Sequence, residues 1–442
     1  MPRRQRNPNL PNAFPFTLIP RGAAAKACVV SAEQREAYVR SAPHRGDPLA
    51  DDVVAMFKKR RPGEGRAMFE VAVAHGIDAV GDPPEELAAF FAHIDALPVW
   101  VDRAQLDLAA QVIGRTGLIG LAALSAGALM GGYLAHRVVK PLVATGDLDR
   151  MVDRRIAETT DWFVSAATAP GGLERFAPGF QATLRVRLMH ALVRAGMARR
   201  ADWDWDGWDH PINQSQLCGT ALLFTLAILS GSEALGMQFS RREKDAVHHC
   251  FRYIGWLMGV DADILATSER DCARLLWLQG TYEFGHPDED SQRLARALVQ
   301  AIGPMTVGAG DDLPHRAARR VATAVLCAYA RRILGTEAAD YLALPDNTML
   351  QRAVDAMAMT VSCLEFVRRM LPGATRLAEN AGRRRWIAAS QRMMTEHHGD
   401  AHYGRHDRLA TTTSPQKTGH SPGDGKRIAV QPLSPSASRN LA

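Results

Sequence analysis

Several signatures of common enzyme classes are missing from this sequence of 442 residues. Its six cysteines stand apart, so none forms a CxxC pair and none belongs to a CxxCH motif. This excludes a zinc ribbon and covalent haem attachment, and is typical of single buried thiols in a reducing compartment. No GxGxxG follows a predicted strand, and GxxxxGK[ST], HExxH and paired ExxH motifs do not occur. Dinucleotide, phosphate-loop, zinc-protease and di-iron sites are therefore not predicted.

Aromatic residues make up only 7% of the chain, and β-branched runs are short. Alanine, leucine and arginine dominate instead, and this composition favours helices over strands. The net charge of +6 comes from scattered arginines, without a basic stripe carrying aromatics, so no nucleic-acid partner is expected. The basic N-terminus is not followed by an apolar stretch, which indicates no secretory signal and a cytoplasmic location.

Composition and helical spacing divide the chain into three parts. Residues 1–45 form an extension rich in Pro, Arg and Asn, with a short helix predicted near Ser31 to Ser41. Residues 46–395 show helical patterns throughout and are predicted to form one large domain. The most regular of the later patterns runs from Thr348 to Met370, with Asp346 or Asn347 as its cap. Residues 396–442 are predicted to be a disordered tail.

One uncharged stretch runs for 19 residues, from Gly117 to Ala135. Its length would admit a transmembrane helix. Five of its residues are glycine and five are alanine, so its hydrophobicity is modest, and no second comparable span is predicted. We therefore expect a buried helix and no transmembrane segment, with peripheral membrane contact left open.

Two helices around an Ala169–Gly172 linker carry the most informative pattern. On the first, RIAETTDW, helical spacing places Arg155, Glu158, Thr159 and Trp162 on one face. On the second, ATLRVRLMHALVRAGMARR, His190 lies between an apolar side and an arginine side. The apolar side is Val186, Val193 and Met197, and the other side is Arg187 and Arg194. A histidine on this seam between the two sides is suited to be an axial haem ligand. The same pattern also fits a boundary histidine on an ordinary amphipathic helix.

Two later helices offer weaker candidates. Thr220 and Phe224 lie one turn apart on an uncharged helix, and could face a pocket or pack in the core. A second group shares a face of the helix that ends near Val260. It could line a cofactor edge or a substrate mouth, or form a helix–helix contact, and its members are His249, Arg252, Tyr253 and Trp256.

The segments VRLMHALVRAGM, HPINQSQLCGTALLF and HHCFRYIGWLMGV resemble the catalytic domain of the MpaB and rubber-oxygenase (latex clearing protein) family. The similarity covers roughly Leu106 to Val260. It implies an all-α fold with a globin-like core and additional helices. It also implies a haem b-dependent oxygenase that uses dioxygen on a hydrophobic substrate such as an isoprenoid or unsaturated lipid. In characterised branches of the family, C=C bonds are cleaved to carbonyl products.

By the same resemblance, His190 matches the histidine that binds the haem iron. Arg155, Glu158 and Thr159 match an Arg-x-x-Lys-Thr pattern on the distal side, with Glu158 in the position of the lysine. Glu158 would act as an acid–base group or hold Arg155, and Arg187 or Arg194 would hold a haem propionate. Because the lysine is replaced, a non-catalytic protein of the same fold that binds or senses haem or lipid stays open as the alternative.

Overall fold

The computed structural model describes residues 31–144, 152–284, 288–308, 310–397 and 399–402. Within these residues the secondary structure is helical and no strand occurs, which confirms the predicted all-α fold. Most of the tail predicted to be disordered, and most of the N-terminal extension, lie outside the described residues.

The helices are numbered here in chain order, and two long ones contain π-helical segments. They are α1 (Ala32–Ser41), α2 (Pro48–Lys58), α3 (Glu64–His75), α4 (Glu85–Asp95), α5 (Arg103–Ala123, continued by π-helical Leu124–Leu129 and by Met130–Gly132), α6 (His136–Ala144), α7 (Val152–Ala167), α8 (Pro178–Met197), α9 (Trp205–Trp208), α10 (Gln214–Leu226, continued by π-helical Ala227–Gly231 and by Ser232–Ala234), α11 (Arg241–Leu257), α12 (Glu269–Glu283), α13 (Glu289–Val307), α14 (Leu313–Leu334), α15 (Thr336–Tyr341), α16 (Thr348–Met370) and α17 (Ala374–Glu396). Short 3₁₀ turns are Ala42–His44, Ile77–Ala79 and Ala262–Ile264.

Side-chain caps fix where several helices begin. Ser31 and Gln34 form a capping box before α1, Asp47 caps α2, and Asn347 caps α16. Each cap satisfies backbone N–H groups that the first helical turn leaves without partners. The predicted helix near Ser31 to Ser41 and the predicted cap of the Thr348 helix are both confirmed.

Two helices are long and apolar enough to cross a membrane by length and composition. They span Arg103–Gly132 and Gln214–Ala234, and 72% and 61% of their most apolar windows are buried inside the fold. The prediction that no second comparable span exists is therefore wrong. Their burial agrees with the expected core position, because both helices are largely covered by other helices.

The π-helical segments of α5 and α10 pack against each other. A Cβ added at Gly127 would lie 3.3 Å from Ala227 Cβ and 3.3 Å from Ile333 Cγ2, which is a tight contact. Small residues thus let the two backbones approach closely. π-Helical turns are rare and frequently occur near functional sites. The paired segments of α5 and α10 are therefore a candidate neighbourhood for such a site.

α7 and α8 form a helical hairpin. α7 is longer than predicted at both ends, α8 begins four residues earlier and ends three residues earlier than predicted, and the linker Ala169–Gly172 lies in the turn between them. A Cβ at Gly179 would lie only 2.3 Å from the carbonyl oxygen of Ser165. Glycine is therefore required for the first turn of α8 to approach the end of α7.

α17 crosses back over α5 and α7. Its Trp386 is 1% exposed, and its ring centroid lies 5.2 Å from that of Phe163 on α7. A Cβ at Gly382 would lie 2.4 Å from the carbonyl oxygen of Gly114 on α5, so this crossing also depends on glycine. The last long helix thereby closes one side of the core.

The cysteines follow the prediction with one exception. Among the described residues, Cys218, Cys250, Cys272 and Cys327 are free and buried, as expected. Cys363 is free and exposed on α16, so the expectation of a buried thiol is wrong there.

Candidate active site

The α7–α8 hairpin sets Arg155 and His190 at the same level. Trp162 on α7 donates a hydrogen bond from Nε1 to Thr183 Oγ1 on α8, with the two atoms 3.0 Å apart. Arg155 lies seven residues before Trp162, and His190 lies seven residues after Thr183. Seven residues are close to two helical turns. Since the helices are antiparallel, Arg155 and His190 share one side and one level of the hairpin.

His190 itself is half-buried. On its apolar side, Val193 and Met197 pack with the buried Trp203 of the following loop. On its other side, Arg187 and Arg194 are both 2% exposed. The predicted seam between an apolar side and an arginine side is therefore present in the fold.

Arg187 is bonded to a carboxylate on α2. Its Nε and Nη2 donate to Asp47 Oδ2 and Oδ1 over 2.7 and 2.8 Å, and its Nη1 donates to the Leu257 carbonyl oxygen. The guanidinium also lies over the ring of Phe90, 4.9 Å from its centroid. The pair with Asp47 connects α8 to the start of α2, and the bond to Leu257 connects α8 to α11. Together these bonds use every nitrogen of the guanidinium.

Arg194 is also paired with an aspartate, but its hydrogen bonds to that carboxylate come from Nε alone. Its Nε lies 2.7 Å from Asp51 Oδ1, and its Nη1 donates to the Ile212 carbonyl oxygen. Burial raises the pKa of the Asp51 carboxyl, and the charge of Arg194 opposes that shift. Both arginines that were predicted to hold a propionate thus hold an aspartate of α2.

Arg155 differs from these two arginines. It is half-buried, and within the described residues it forms no hydrogen bond or ion pair. Its charge acts on the hydroxyl of Tyr133, which follows the end of α5. Burial raises the pKa of Tyr133 and the Arg155 charge partly offsets this, so the phenol is a neutral donor at ordinary pH. Tyr133 was not singled out from the sequence, because a lone tyrosine at the end of an apolar run carries no motif.

Glu158 lies on a different side of α7 from Arg155 and Thr159. Its Oε1 accepts from Arg154 Nε over 2.8 Å and from the backbone N of Asp400 over 3.0 Å. Asp161, three residues further on, accepts from Ser390 on α17. This side of α7 therefore faces α17, and the alternative that Glu158 holds Arg155 is not what the structure shows.

Thr220 on α10 is exposed although its helix is largely buried. In the next turn, Leu223 reaches toward Gly132 at the end of α5, and Phe224 lies 5.6 Å from Trp162 on α7. On the helical wheel of α10, Thr220 lies between Leu223 and Phe224. Its side chain therefore points between the end of α5 and Trp162, toward the region of Arg155. Because Thr220 is exposed to water, we infer a recess between the end of α5, α7, α8 and α10, and we use the name recess for this inferred space.

A further polar group belongs to the same face of α10. Gln216, one turn before Thr220, is buried, and its Nε2 has no hydrogen-bond partner among the described residues. A buried donor without a partner costs free energy, so it is commonly satisfied by water or by a ligand. From the helical spacing of α10 and the charge interaction between Arg155 and Tyr133, we assign Gln216, Thr220, Arg155 and Tyr133 to the inferred recess as its polar groups.

The predicted polar-aromatic face of α11 packs against the segment before α5. The Asp102 backbone N donates to His249 Nε2, Arg252 lies 3.9 Å from the ring centroid of Trp100, and Tyr253 also contacts that indole. Trp256 stacks on Tyr253 and contacts His93 of α4. These contacts favour the packing interpretation of this face over a substrate mouth.

A model of a known protein family matches the region that contains the candidate site. The family model described as "ER-bound oxygenase mpaB/B'/Rubber oxygenase, catalytic domain" matches residues 114–363, more than half of the chain. The chain belongs to this family. It is therefore an oxygenase, and all six predicted site residues lie within the matched region.

A solved structure supports the fold of this oxygenase. The chain is similar to the solved structure of the latex clearing protein LCP in its closed state. The TM-score is 0.60 and the sequence identity is 19%, over 78% of this chain and 91% of that chain. At this identity the likeness shows the fold alone, which agrees with the all-α architecture. No curated protein matches the sequence closely.

Proposed function

We propose that this oxygenase works with haem b, whose iron is bound by the imidazole of His190. The observation that carries the proposal is the hydrogen bond between Trp162 and Thr183, which by helical spacing brings His190 and Arg155 to one level of the α7–α8 hairpin. Imidazole is a common axial ligand of haem iron, and polar groups opposite it govern what binds there. Family membership supports the cofactor, because the resemblance implies haem at this histidine.

An imidazole ligand with apolar side chains beside it supports a haem at this position. Val186 is half-buried next to His190 and supplies apolar contact, and Gly132 leaves space at the end of α5. The propionate contact predicted for Arg187 or Arg194 would require that arginine to exchange its aspartate for the propionate. Arg155 needs no such exchange, so we propose it as the first cation available to an anionic group in the recess.

When bound, haem would supply the iron that activates dioxygen. The protein's own groups would then orient what lies on the distal side. The Arg155 guanidinium and the hydroxyls of Thr159 and Tyr133 are donors, and such groups stabilise developing negative charge when they are held in place before reaction. Burial keeps Tyr133 protonated and able to donate.

For the substrate we propose a hydrophobic molecule with a C=C bond, such as an isoprenoid or an unsaturated lipid. We propose α5 and α10 as the walls of the substrate site, because both helices are apolar and binding there would remove hydrocarbon from water. Dioxygen would supply both oxygen atoms, so that one C=C bond breaks and two C=O bonds form. We propose the cytoplasm as the location of this reaction.

A second function is favoured by one observation. Glu158 replaces the lysine of the family pattern, and its carboxylate is engaged by Arg154 and by the segment after α17. If the distal side needs the lysine for turnover, the protein would bind or sense haem or lipid without oxidising it. The acid–base role of Glu158 stays a prediction.

The test has two parts. Protein purified with added haem is expected to show a Soret band that His190→Ala removes, while His75→Ala, which alters an exposed histidine on α3, leaves it unchanged. Oxygen uptake is then measured with squalene and with saturated squalane as the matched control. Uptake with squalene alone, lost in Arg155→Ala, supports the oxygenase. A Soret band without uptake selects the haem-binding protein, and a colourless protein rejects both functions that require haem.

A further inference from the structure

Exposed apolar side chains concentrate on one part of the surface. Half of the large apolar side chains that are exposed in the described residues lie between positions 349 and 377, in α16 and the start of α17. Met349, Met359, Met370 and Leu377 are 80, 71, 65 and 72% exposed. Soluble proteins rarely leave contiguous apolar surface of this extent uncovered unless something binds there.

On α16 several of these residues, together with Cys363, lie along one side of the helix. At 100° per residue, six of them fall within about 100° of one another. We call this the α16 stripe, and its members are Met349, Met359, Cys363, Phe366, Val367 and Met370, all exposed. The stripe is about 30 Å long at 1.5 Å per residue. The opposite face of α16 is buried against the fold through Val354, Ala358 and Glu365.

Basic residues outnumber acidic ones along the border of the stripe. Arg352 lies within the same arc, and Arg369 and Arg376 are exposed where α16 turns into α17. The sequence from Phe366 to Leu377 contains no acidic residue. The nearest acids are engaged elsewhere, since Glu365 pairs with Arg368 and Asp355 pairs with Arg332.

We propose that the α16 stripe docks on an anionic membrane surface, with α16 lying parallel to the bilayer. Helices that bind in this way have an apolar face that enters the headgroup boundary and basic residues that meet anionic lipids. The charges favour a membrane over a second copy of the chain. Two stripes packed together would bring Arg352 of both copies into one interface, where the nearest carboxylate, that of Asp355, is already paired with Arg332.

The proposal is independent of haem and of His190. It assigns a face that points away from the core, and its test does not measure oxygenase activity. Failure of this proposal would leave the proposed function intact, and the reverse also holds.

Cys363 supplies the probe, because it lies within the stripe and is the exposed thiol among the described residues. The full chain with Cys28→Ser is labelled at Cys363 with an environment-sensitive fluorophore. Vesicles of phosphatidylcholine, or of equimolar phosphatidylcholine and phosphatidylserine, are then added. We expect a blue shift and sedimentation with the anionic vesicles, and much weaker binding to the neutral ones.

Variants separate the apolar and the charged contributions. Met359→Ser with Phe366→Ser is expected to lower partition into anionic vesicles by about tenfold or more, since each step of 1.4 kcal/mol is tenfold. Arg369→Glu with Arg376→Glu is expected to remove the preference for anionic lipid. The matched control is Leu97→Ser with Val99→Ser, which changes exposed apolar residues before α5 and should leave binding unchanged.

Two results would overturn the proposal. One is a label that does not respond to either vesicle while the protein remains monomeric. The other is a label already blue-shifted without lipid in a protein that light scattering shows to be a dimer, since a second copy would then cover the stripe. Both measurements use the labelled protein without the Met359→Ser and Phe366→Ser substitutions, so the outcome does not depend on how those variants fold.

Discussion

The interface between α8 and α2 and the recess beside it place arginines in opposite situations. At the interface, Arg187 and Arg194 are buried and each is bonded to an aspartate. At the recess, Arg155 is half-buried and has no acidic partner among the described residues. Within one helical hairpin, two arginines are therefore neutralised by aspartates and have a structural role. The third arginine keeps a charge that is available to a ligand.

The same contrast extends to neutral groups. Around Arg187 every guanidinium nitrogen has a partner, whereas the recess holds a buried Gln216 Nε2 that has none in the described part of the chain. Buried polar groups are normally satisfied, so those left open indicate where water or a ligand belongs. Variants that remove either kind of group test this distinction.

The largest effect is expected for Arg187→Met. Removing this guanidinium leaves the Asp47 carboxylate buried and without its bidentate partner, which should lower the free energy of unfolding by about 3–5 kcal/mol. Urea denaturation measures the change. The double variant with Asp47→Asn should recover part of the loss, and equal instability of the single and double variants would show that the pair is not coupled.

Arg155→Met is expected to behave in the opposite way. No carboxylate loses a partner, so the free energy of unfolding should change by less than about 1 kcal/mol. If Arg155 donates to the reacting oxygen, kcat for oxygen uptake with squalene should fall by about a hundredfold. Strong destabilisation without a change in kcat for the folded fraction would place Arg155 among the structural arginines.

Glu283 on α12 is an intermediate case, because Ser215 donates to its Oε1 while its Oε2 has no partner among the described residues. Burial raises the pKa of this carboxyl to about 7 from an ordinary value of 4.5. The folded state therefore holds a proton that the unfolded state releases, so this group makes stability fall as pH rises from about 4.5 to about 7, with no further change above that.

Glu283→Gln should flatten the decline in stability between those two pH values, and make the protein more stable than the wild type at pH 8. Urea midpoints across this pH range provide the measurement. Parallel curves for the two proteins would mean that Glu283 does not hold its proton in the folded state.

Much of the hairpin could be predicted from the sequence. Ala169–Gly172 identified the turn, and the spacing around His190 gave the two sides that the fold shows. These features are local, because helical periodicity relates residues within a few turns. The partners of the two arginines could not be predicted, since Asp47 and Asp51 lie about 140 residues earlier in the chain.

The orientation of Glu158 shows the same limit. Helical spacing grouped it with Arg155 and Thr159, but the fold divides that face between α8 and α17, and α17 comes more than 200 residues later. The exposure of Cys363 could not be predicted from the sequence either, because the apolar pattern of α16 does not reveal which side of the helix the fold covers.

The central claim is that the imidazole at position 190 binds iron, and a cavity variant tests it most directly. His190→Gly should lose the Soret band of the haem-loaded protein and regain it when free imidazole is added, because the small molecule can occupy the space of the missing side chain. His75→Gly should keep its Soret band without imidazole. A His190→Gly protein whose Soret band is unchanged and insensitive to imidazole would contradict the account.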